Sequence, residues 1–295
     1  MTPQAWTKDP ETWPPESERP KLQWQIERQL RATLLASRPE NREDVTREVY
    51  NRLFDEVPWH DANVADARDE KAYEEYWFRL YGPLTRRTDT LLDIGCGRGG
   101  LIRQFAPAVA DCIGIDASDA MVAIACEEKL ANARFVVGNL LRPALPDASV
   151  DFVISRQLME HLHPDDVPGH LRAVFRLLRP GGRFLIETPT RLTGPWDISR
   201  GFSDTATGFH LREYTNAEMG AMLRAAGFHR VRGPAIPARV LERLGQHNRF
   251  AYVPVSIKAL MERILRLAPT TLQPSIARLL TVREVTLVAE RPPRA

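Results

Sequence analysis

The sequence Thr90-Leu91-Leu92-Asp93-Ile94-Gly95-Cys96-Gly97-Arg98-Gly99-Gly100 decides the fold of this chain. An apolar run ends in an acid, a glycine-dense turn follows, and residues 101–105 continue as an amphipathic segment. This is the order of a strand, a tight loop and a helix. Gly95, Gly97 and Gly100 fit the spacing G-x-G-x-x-G, in which missing side chains let the backbone turn sharply and a ligand approach the helix N-terminus. The stretch therefore predicts a nucleotide-binding loop.

A second acid follows at the distance expected of a ribose-binding residue. Asp116 ends the apolar run Cys112-Ile113-Gly114-Ile115 and comes 21 residues after Gly95. Dinucleotide-binding folds place such an acid about 20 residues after the glycines, where it binds ribose hydroxyls. The glycine spacing alone is a weak signal, but strand, loop, helix, strand and acid in this order form a strong one.

Composition sets the class of protein. The 295 residues are 43% hydrophobic and 26% charged, as in ordinary globular proteins. Because no apolar run approaches the roughly 20 residues that span a bilayer, we expect a soluble protein without a membrane span. The N-terminus lacks the features of a secretory signal, which predicts a cytoplasmic location. A net charge of +2 does not suggest the concentrated basic face of a nucleic-acid-binding protein.

The cysteines do not suggest a disulfide framework or a zinc site. All three, Cys96, Cys112 and Cys126, lie in the nucleotide-binding half, without a C-x-x-C pair. We interpret them as reduced, small, buried residues. A catalytic thiol is the less favoured alternative.

Helical segments are predicted before the glycine loop. Residues 1–20 are interrupted by prolines and read as a flexible tail, which the tryptophans Trp6 and Trp13 could instead fasten to the domain. Residues 21–83 show three helical patterns that end near prolines. We expect these helices to form an N-terminal cap that either packs against the sheet edge or covers the ligand.

From residue 84 to 295 strands alternate with helices, which requires crossovers between parallel strands. The fold class predicted is α/β, a doubly wound, mostly parallel, seven-stranded Rossmann-like sheet. Two segments interrupt the alternation. Residues 189–214 form a long irregular link that we interpret as a lid or substrate loop. Residues 237–281 read as a helical insertion before the last strand. A turn is predicted at residues 179–182, just before the fifth strand. The seven predicted strands are residues 90–94, 112–116, 134–139, 150–155, 183–188, 228–236 and 284–289.

The motifs resemble those of class I S-adenosylmethionine-dependent methyltransferases, over residues 84–226 and the final strand. Leu92-Asp93-Ile94-Gly95-Cys96-Gly97-Arg98-Gly99 matches the family's first motif, in which an acid precedes the glycines, unlike the dehydrogenase fingerprint. Asp116 matches the ribose-binding acid. Gly138-Asn139-Leu140 falls where the family usually has an Asp contacting the adenine amino group. Asn139 departs from that pattern, but its side-chain oxygen can accept the same hydrogen bond.

The later motifs continue the resemblance. Leu158-Met159-Glu160-His161-Leu162 is similar to the segment after the family's fourth strand, and Phe209-His210-Leu211-Arg212-Glu213-Tyr214-Thr215 to small-molecule methyltransferases of the quinone-biosynthesis and glycan or natural-product type. The resemblance implies S-adenosyl-L-methionine as the cofactor. The residues it implies for cofactor binding are Asp93, Gly95, Cys96, Gly97, Asp116, Ala117, Asn139, Leu140 and Arg156.

Methyl transfer to a hydroxyl needs a positioned base, because the proton leaves as the new bond forms. His161, His163 and His210 are the candidates, and we select His161 and His210 as catalytic. The competing interpretation of His161 is a structural residue beneath the cofactor. For His210, a role as the base and a role in orienting the substrate are equally favoured. Glu160, beside His161, raises the possibility of a divalent metal, with Asp165 and Asp166 nearby, but no ligand set is defined. We expect a solvated acidic turn and no metal.

The leading hypothesis is a methyltransferase that acts on a hydroxyl of a sugar, a quinone-like ring or another natural product. Transfer to nitrogen or carbon, and a catalytically inactive cofactor-binding partner protein, are the alternatives. A nicotinamide-dependent oxidoreductase is disfavoured by Asp93 and the late motifs. The chain lacks the Asp-Pro-Pro-Tyr and Asn-Pro-Pro-Tyr segments typical of amino-group DNA methyltransferases. We therefore expect a small-molecule acceptor, no nucleic-acid partner, and a possible homodimer.

Overall fold

An eight-stranded mixed sheet forms the centre of the computed structural model, which describes residues 9–60, 67–236, 240 and 252–294. The strand order is β3-β2-β1-β4-β5-β8-β6-β7. Strands β1 to β5 pair in parallel, whereas β8 is antiparallel to both β5 and β6. The predicted α/β class with a mostly parallel sheet is confirmed. The strands are β1 (Thr90–Ile94), β2 (Asp111–Asp116), β3 (Ala133–Val137), β4 (Val150–Arg156), β5 (Leu178–Pro189), β6 (His229–Pro234), β7 (Tyr252–Pro254) and β8 (Glu284–Glu290).

The eighth strand is the main departure from the predicted seven. Strand β7 has three residues and pairs antiparallel with β6, so that Tyr252 lies opposite Pro234. It belongs to the segment interpreted as a helical insertion, and three residues are too few to show strand alternation. Strand β5 also begins earlier than predicted. The expected turn at residues 179–182 lies inside it, at an irregularity in the pairing with β4 where Gly181 has a φ of +81°.

Nine α-helices lie in the described part of the chain, and none of them is both long and apolar enough to cross a bilayer. Helices α6 and α7 pack on one face of the sheet, and α3 and α4 pack on the other. Neighbouring residues of β4 divide between these cores, Val153 in the first and Phe152 in the second. The helices are α1 (Arg19–Leu35), α2 (Arg42–Glu56), α3 (Ala67–Tyr81), α4 (Gly100–Phe105), α5 (Asp119–Cys126), α6 (Val167–Leu177), α7 (Asn216–Ala225), α8 (Val255–Leu267) and α9 (Gln273–Leu279).

Helices α1 and α2 pack against the long link after β5 rather than against the sheet. Leu30 and Leu53 share a buried cluster with Phe209 and Leu211 of that link. The Arg31 guanidinium adds hydrogen bonds to the carbonyl oxygens of His210 and Leu211, each 3.1 Å long. The two N-terminal helices and the link therefore form one packed layer beside the sheet.

Parts of three predicted segments lie outside the described residues. These are residues 1–8 of the tail, 61–66 of the helical region and 237–239 with 241–251 of the insertion. Within the described part of the tail, the Trp13 ring lies 6.4 Å from that of Trp59. Two further helices, α8 and α9, occupy the described part of the insertion.

Candidate active site

The glycine loop connects β1 to α4 with a backbone that side chains disfavour. Gly95, Gly97 and Gly99 have φ values of +81°, +52° and +78°. Residues with a Cβ rarely adopt these angles, so glycine suits each position. Gly100 has a different constraint, since a Cβ there would lie 1.4 Å from the Glu74 carboxylate of α3. The glycines thus serve both the turn and the packing of the first helix after it.

Asp116 ends β2 and holds the glycine loop through its carboxylate. The backbone N–H of Gly97 donates to Oδ2 over 2.8 Å, and that of Ser118 donates to Oδ1 over 2.9 Å. Ala117 lies between Asp116 and Ser118, which caps α5 by accepting a hydrogen bond from the Met121 N–H. The loop and the acid therefore meet at the carboxyl edge of the parallel strands, where open α/β sheets bind ligands.

Asp93 and Cys96 are buried beneath this edge. Burial raises the pKa of Asp93 to about 7, and Asp116 raises it further, whereas Arg156 opposes the shift. Burial also raises the pKa of the Cys96 thiol, which keeps it protonated and argues against a catalytic thiolate. The interpretation of the cysteines as buried holds for Cys96 and Cys112 but is wrong for Cys126, which is exposed on α5.

Asn139 follows β3 and uses its side chain within the protein. Its Oδ1 accepts hydrogen bonds from the backbone N–H groups of Leu141 and Arg142, at 2.8 and 3.0 Å. Its Nδ2 donates to Glu43 of α2 over 2.7 Å. The oxygen predicted to receive the adenine amino group is therefore engaged in a turn, and Glu43 places a carboxylate beside it. The Leu140 carbonyl accepts a 2.8 Å hydrogen bond from the His170 ring.

Arg156 lies at the end of β4, on the side of the sheet covered by α3. Its guanidinium stacks 4.5 Å from the Tyr73 ring centroid, and its Nε is 3.5 Å from Glu187 Oε1. Trp77 donates a 2.8 Å hydrogen bond to the other oxygen of Glu187. Beside these residues is a cavity of about 620 Å³, which Tyr252 and Glu284 also line. Burial raises the pKa of Glu187 to about 7, and Glu284 adds to the shift.

On the opposite side of β5, Glu160, His161 and His210 form a compact cluster. One carboxylate oxygen and one nitrogen from each ring lie within 4.8 Å of one another. Backbone bonding aligns the two segments, because the Leu211 N–H donates to the Glu160 carbonyl over 2.7 Å. Glu160 is 0% exposed, and its Oε2 accepts a 2.8 Å hydrogen bond from the Thr188 hydroxyl. The expected solvated acidic turn is therefore wrong for Glu160.

The two histidines of the cluster have opposite pKa shifts. Burial lowers the pKa of His161 to about 3, so its ring is neutral and Nδ1–H donates to the Phe209 carbonyl over 3.3 Å. Burial also acts to lower the pKa of His210, but carboxylates outweigh it and leave the pKa raised. The nearest of these carboxylates is Glu213, whose Oε1 is 2.9 Å from His210 Nδ1. The third candidate, His163, hydrogen-bonds at Nδ1 to its own turn and lies outside this cluster.

Several residues of the site carried no usable sequence signal. Tyr50 of α2 packs its ring edge on Phe209, and burial with Glu160 and Asp116 raises the pKa of its hydroxyl. The hydroxyl is therefore within electrostatic reach of both the cluster and Asp116. Tyr50 and Glu43 read locally as parts of an amphipathic helix. Glu213, three residues after His210, could have been found from its spacing.

Known proteins are similar to the part of the chain that contains the glycine loop and Asp116. The methyltransferase domain family matches residues 92–186, from β1 to β5. A probable S-adenosylmethionine-dependent methyltransferase of Mycolicibacterium smegmatis is 38% identical over 164 residues, which are 53% of this chain and 61% of that protein. One from Mycobacterium tuberculosis is 33% identical over 161 residues, 52% of this chain and 56% of that protein. The chain thus spans less than two thirds of the length of these relatives.

A solved structure shows the same fold. Phosphoethanolamine N-methyltransferase 1 of Haemonchus contortus, in complex with phosphoethanolamine and S-adenosylhomocysteine, superposes with a TM-score of 0.57 at 16% identity. The match covers 88% of this chain and 51% of that one. The domain match and the mycobacterial relatives show that residues 92–186 form a methyltransferase domain of the S-adenosyl-L-methionine-dependent kind.

Proposed function

We propose that the protein transfers the methyl group of S-adenosyl-L-methionine to a hydroxyl of a small molecule, such as a sugar, a quinone-like ring or another natural product. The observation that supports a hydroxyl acceptor is the buried cluster of Glu160, His161 and His210 after β4. It lies at the ligand-binding edge of the sheet and combines a neutral imidazole with an imidazole–carboxylate pair. Such groups can orient a hydroxyl and receive its proton.

The cofactor would lie along the edge formed by the glycine loop and Asp116. We assign its contacts to Asp93, Gly95, Cys96, Gly97, Asp116, Ala117, Leu140 and Arg156. Gly97 contributes an approachable backbone, since no atom lies within 4 Å of the space a side chain would take. At the adenine end, Asn139 acts together with Glu43, because the Asn139 oxygen already accepts two backbone hydrogen bonds.

We propose that the layer of α1, α2 and the link caps this edge. Glu43 and Tyr50 on α2 reach the adenine end and the cluster respectively. The link at residues 189–214 supplies His210 and acts as the lid. Since closure of a site excludes water and aligns the reacting atoms, this layer is suited to hold the acceptor in line with the methyl group.

The chemistry asks little of the protein beyond alignment. The sulfonium methyl is already electrophilic, and the acceptor oxygen forms its bond to the methyl carbon while the carbon–sulfur bond breaks and its electrons pass to sulfur. The hydroxyl proton goes to the cluster. His210 is the favoured acceptor, because Glu213 fixes Nδ1–H and stabilises the charged ring. His161 lies at a ring distance of 5.0 Å and helps to position the hydroxyl.

A two-step experiment tests the proposal. Calorimetry should show that Asp116→Ala weakens S-adenosylmethionine binding at least tenfold, whereas Asp111→Ala, an exposed acid at the other end of β2, should not. Incubation with labelled cofactor and a panel of hydroxyl, amine and carbon acceptors should then give O-methylated products. His210→Ala should lower the rate, and His163→Ala should not. Equal cofactor affinity in both aspartate variants would refute the assigned edge, and lack of any methylated product would favour an inactive partner.

Methyl transfer to an amine is the second candidate, and the aromatic cavity favours it. Tyr73, Trp77 and Tyr252 surround the carboxylates of Glu187 and Glu284 there. Aromatic faces and carboxylates together bind ammonium groups. N-methylated products that Glu187→Gln abolishes and His210→Ala leaves unchanged would select this candidate over the first.

A further inference from the structure

We propose that Glu160, His161 and His210 form a binding site for a divalent transition-metal cation of the kind that accepts imidazole ligands, such as Zn²⁺. The three side chains come from two distant segments and offer one oxygen and two nitrogens within 4.8 Å. Two histidines and one glutamate with an open fourth position form a common ligand set of catalytic zinc sites. The proposal goes beyond methyl transfer, since cation binding requires neither cofactor nor acceptor.

The outer contacts of both histidines are those of metal ligands. His161 Nδ1 hydrogen-bonds to the Phe209 carbonyl, and His210 Nδ1 to the Glu213 carboxylate. Metal-binding histidines almost always donate their second ring N–H to a carbonyl or carboxylate, which fixes the tautomer and raises the basicity of the other nitrogen. When Nδ1–H donates in this way, the lone pair of each neutral ring is on Nε2.

The two carboxylate oxygens of Glu160 differ in their hydrogen bonding. Oε2 accepts the hydrogen bond of the Thr188 hydroxyl, but Oε1 accepts none from the residues that the structure describes, although the side chain is 0% exposed. A buried polar oxygen without a partner is costly. A cation between Oε1 and the two rings would remove that cost.

The surrounding charge also favours a cation. The carboxylates of Glu160, Glu213 and Asp197 all raise the pKa of His210. Asp197 also raises the pKa of Glu27, which accepts a hydrogen bond from the Phe209 N–H over 2.9 Å. Against these carboxylates, Arg31 directs its guanidinium to backbone carbonyls of the same segment. The charges that act on His210 are therefore negative, and a bound divalent ion would compensate them.

The ligand types predict selectivity. Zinc–nitrogen bonds of about 2.0–2.1 Å place tetrahedral ligand atoms about 3.3 Å apart, so the present cluster must contract by about 1.5 Å at most. Mg²⁺ prefers oxygen ligands and octahedral geometry, and two imidazoles suit it poorly. Zn²⁺ and Co²⁺ should therefore bind well and Mg²⁺ weakly.

The test is metal titration of the full-length protein after dialysis against a chelator, without cofactor. Calorimetry with Zn²⁺ should show one site, and Co²⁺ should give the visible absorption of a low-symmetry complex. Glu160→Gln, His161→Ala and His210→Ala should each weaken Zn²⁺ binding at least tenfold. His163→Ala, which removes a neighbouring histidine outside the cluster, should bind as the wild type does. Circular dichroism confirms that each variant is folded, and Glu160→Gln retains the shape and an acceptor for Thr188.

Two results would overturn the site. One is that the wild type does not bind Zn²⁺ at micromolar to millimolar concentrations, and the other is that the His161 and His210 variants bind Zn²⁺ as tightly as the wild type does. The outcome is separable from the proposed methyl transfer. If the wild type transfers methyl groups but does not bind Zn²⁺, the cation site alone is refuted. If the cation binds and methyl transfer by the metal-free protein is slower, the cation would hold the hydroxyl oxygen and lower the pKa of the hydroxyl, whose proton would pass to solvent. His161 and His210 would then act as ligands instead of proton acceptors.

Discussion

Replacing Gly97 by alanine separates the conformational role of the glycine loop from its role in binding. Gly97 has a φ of +52°, and an added Cβ would meet no atom within 4 Å. The cost to the fold is therefore that of a left-handed backbone alone, about 1–2 kcal/mol. An unfolding entropy of about 2.1 cal/mol/K per residue gives roughly 0.6 kcal/mol/K for this chain, so Tm should fall by only about 2–3 °C.

Gly181→Ala is the matched control for this substitution. Gly181 has a φ of +81° and equally free space, but it lies near the start of β5, at the end of the sheet away from Asp116. Both variants should therefore lose similar stability in thermal unfolding. Only Gly97→Ala should lose affinity for S-adenosylmethionine, by at least tenfold or about 1.4 kcal/mol in calorimetry, because its methyl group occupies the space through which the cofactor approaches.

The reasoning would be refuted if the two variants bound S-adenosylmethionine equally well. The added methyl group would then not stand between the loop and the cofactor. A fall in Tm far larger for Gly97→Ala than for Gly181→Ala would also contradict the structure, since the two sites differ in neither steric contact nor the sign of φ.

Three further predictions address the packing and the charges. Gly114→Ala should destabilise the protein by about 1–3 kcal/mol more than Gly97→Ala or Gly181→Ala does in urea unfolding, because its Cβ would lie 2.5 Å from Phe135. Burial raises the pKa of Glu27 to about 7, so the folded state holds an extra proton between pH 4.5 and 7 and loses up to about 3 kcal/mol as pH rises through this window. Glu27→Gln should make that slope shallower without abolishing it, because burial also raises the pKa values of Asp93 and Glu187 to about 7. An unchanged slope would show that Glu27 does not contribute to it. Glu213→Gln should lower the pKa of His210 and move the acid limb of the pH–rate profile to lower pH, while Glu160 and Asp197 continue to raise that pKa. A limb that stays in place would show that a different group titrates.

The glycine loop and the two strands beside it are the part of the molecule that local sequence predicts well. Strand β1, the glycine turn and the start of α4 follow from an apolar run and from residues that allow positive φ. Asp116 follows from its position at the end of β2. These features depend on short stretches of chain, and the residue types within them restrict the backbone directly.

Other features were missed because their partners are distant. Strand β7 is defined by pairing with β6 rather than by its own three residues. The internal hydrogen bonds of Asn139 are a second such feature, because the turn after β3 binds its side-chain oxygen and α2 supplies Glu43. Neither the burial of a side chain nor the use of its lone pairs can be read from its neighbours in sequence.

The sequence by itself determined the α/β class and the glycine loop that begins with Gly95, because positive φ, apolar runs and a correctly spaced acid are local properties. The methyl donor followed from the resemblance of these motifs to those of S-adenosylmethionine-dependent methyltransferases. Only the tertiary structure decided what Glu160 does. Beside Asp165 and Asp166 it read as part of a solvated turn, yet packing of α1, α2 and the link after β5 buries it and brings His210 to it. Burial and charge proximity arise between segments far apart in the chain, and they bring the Glu160–His161 pair and His210 into one cluster.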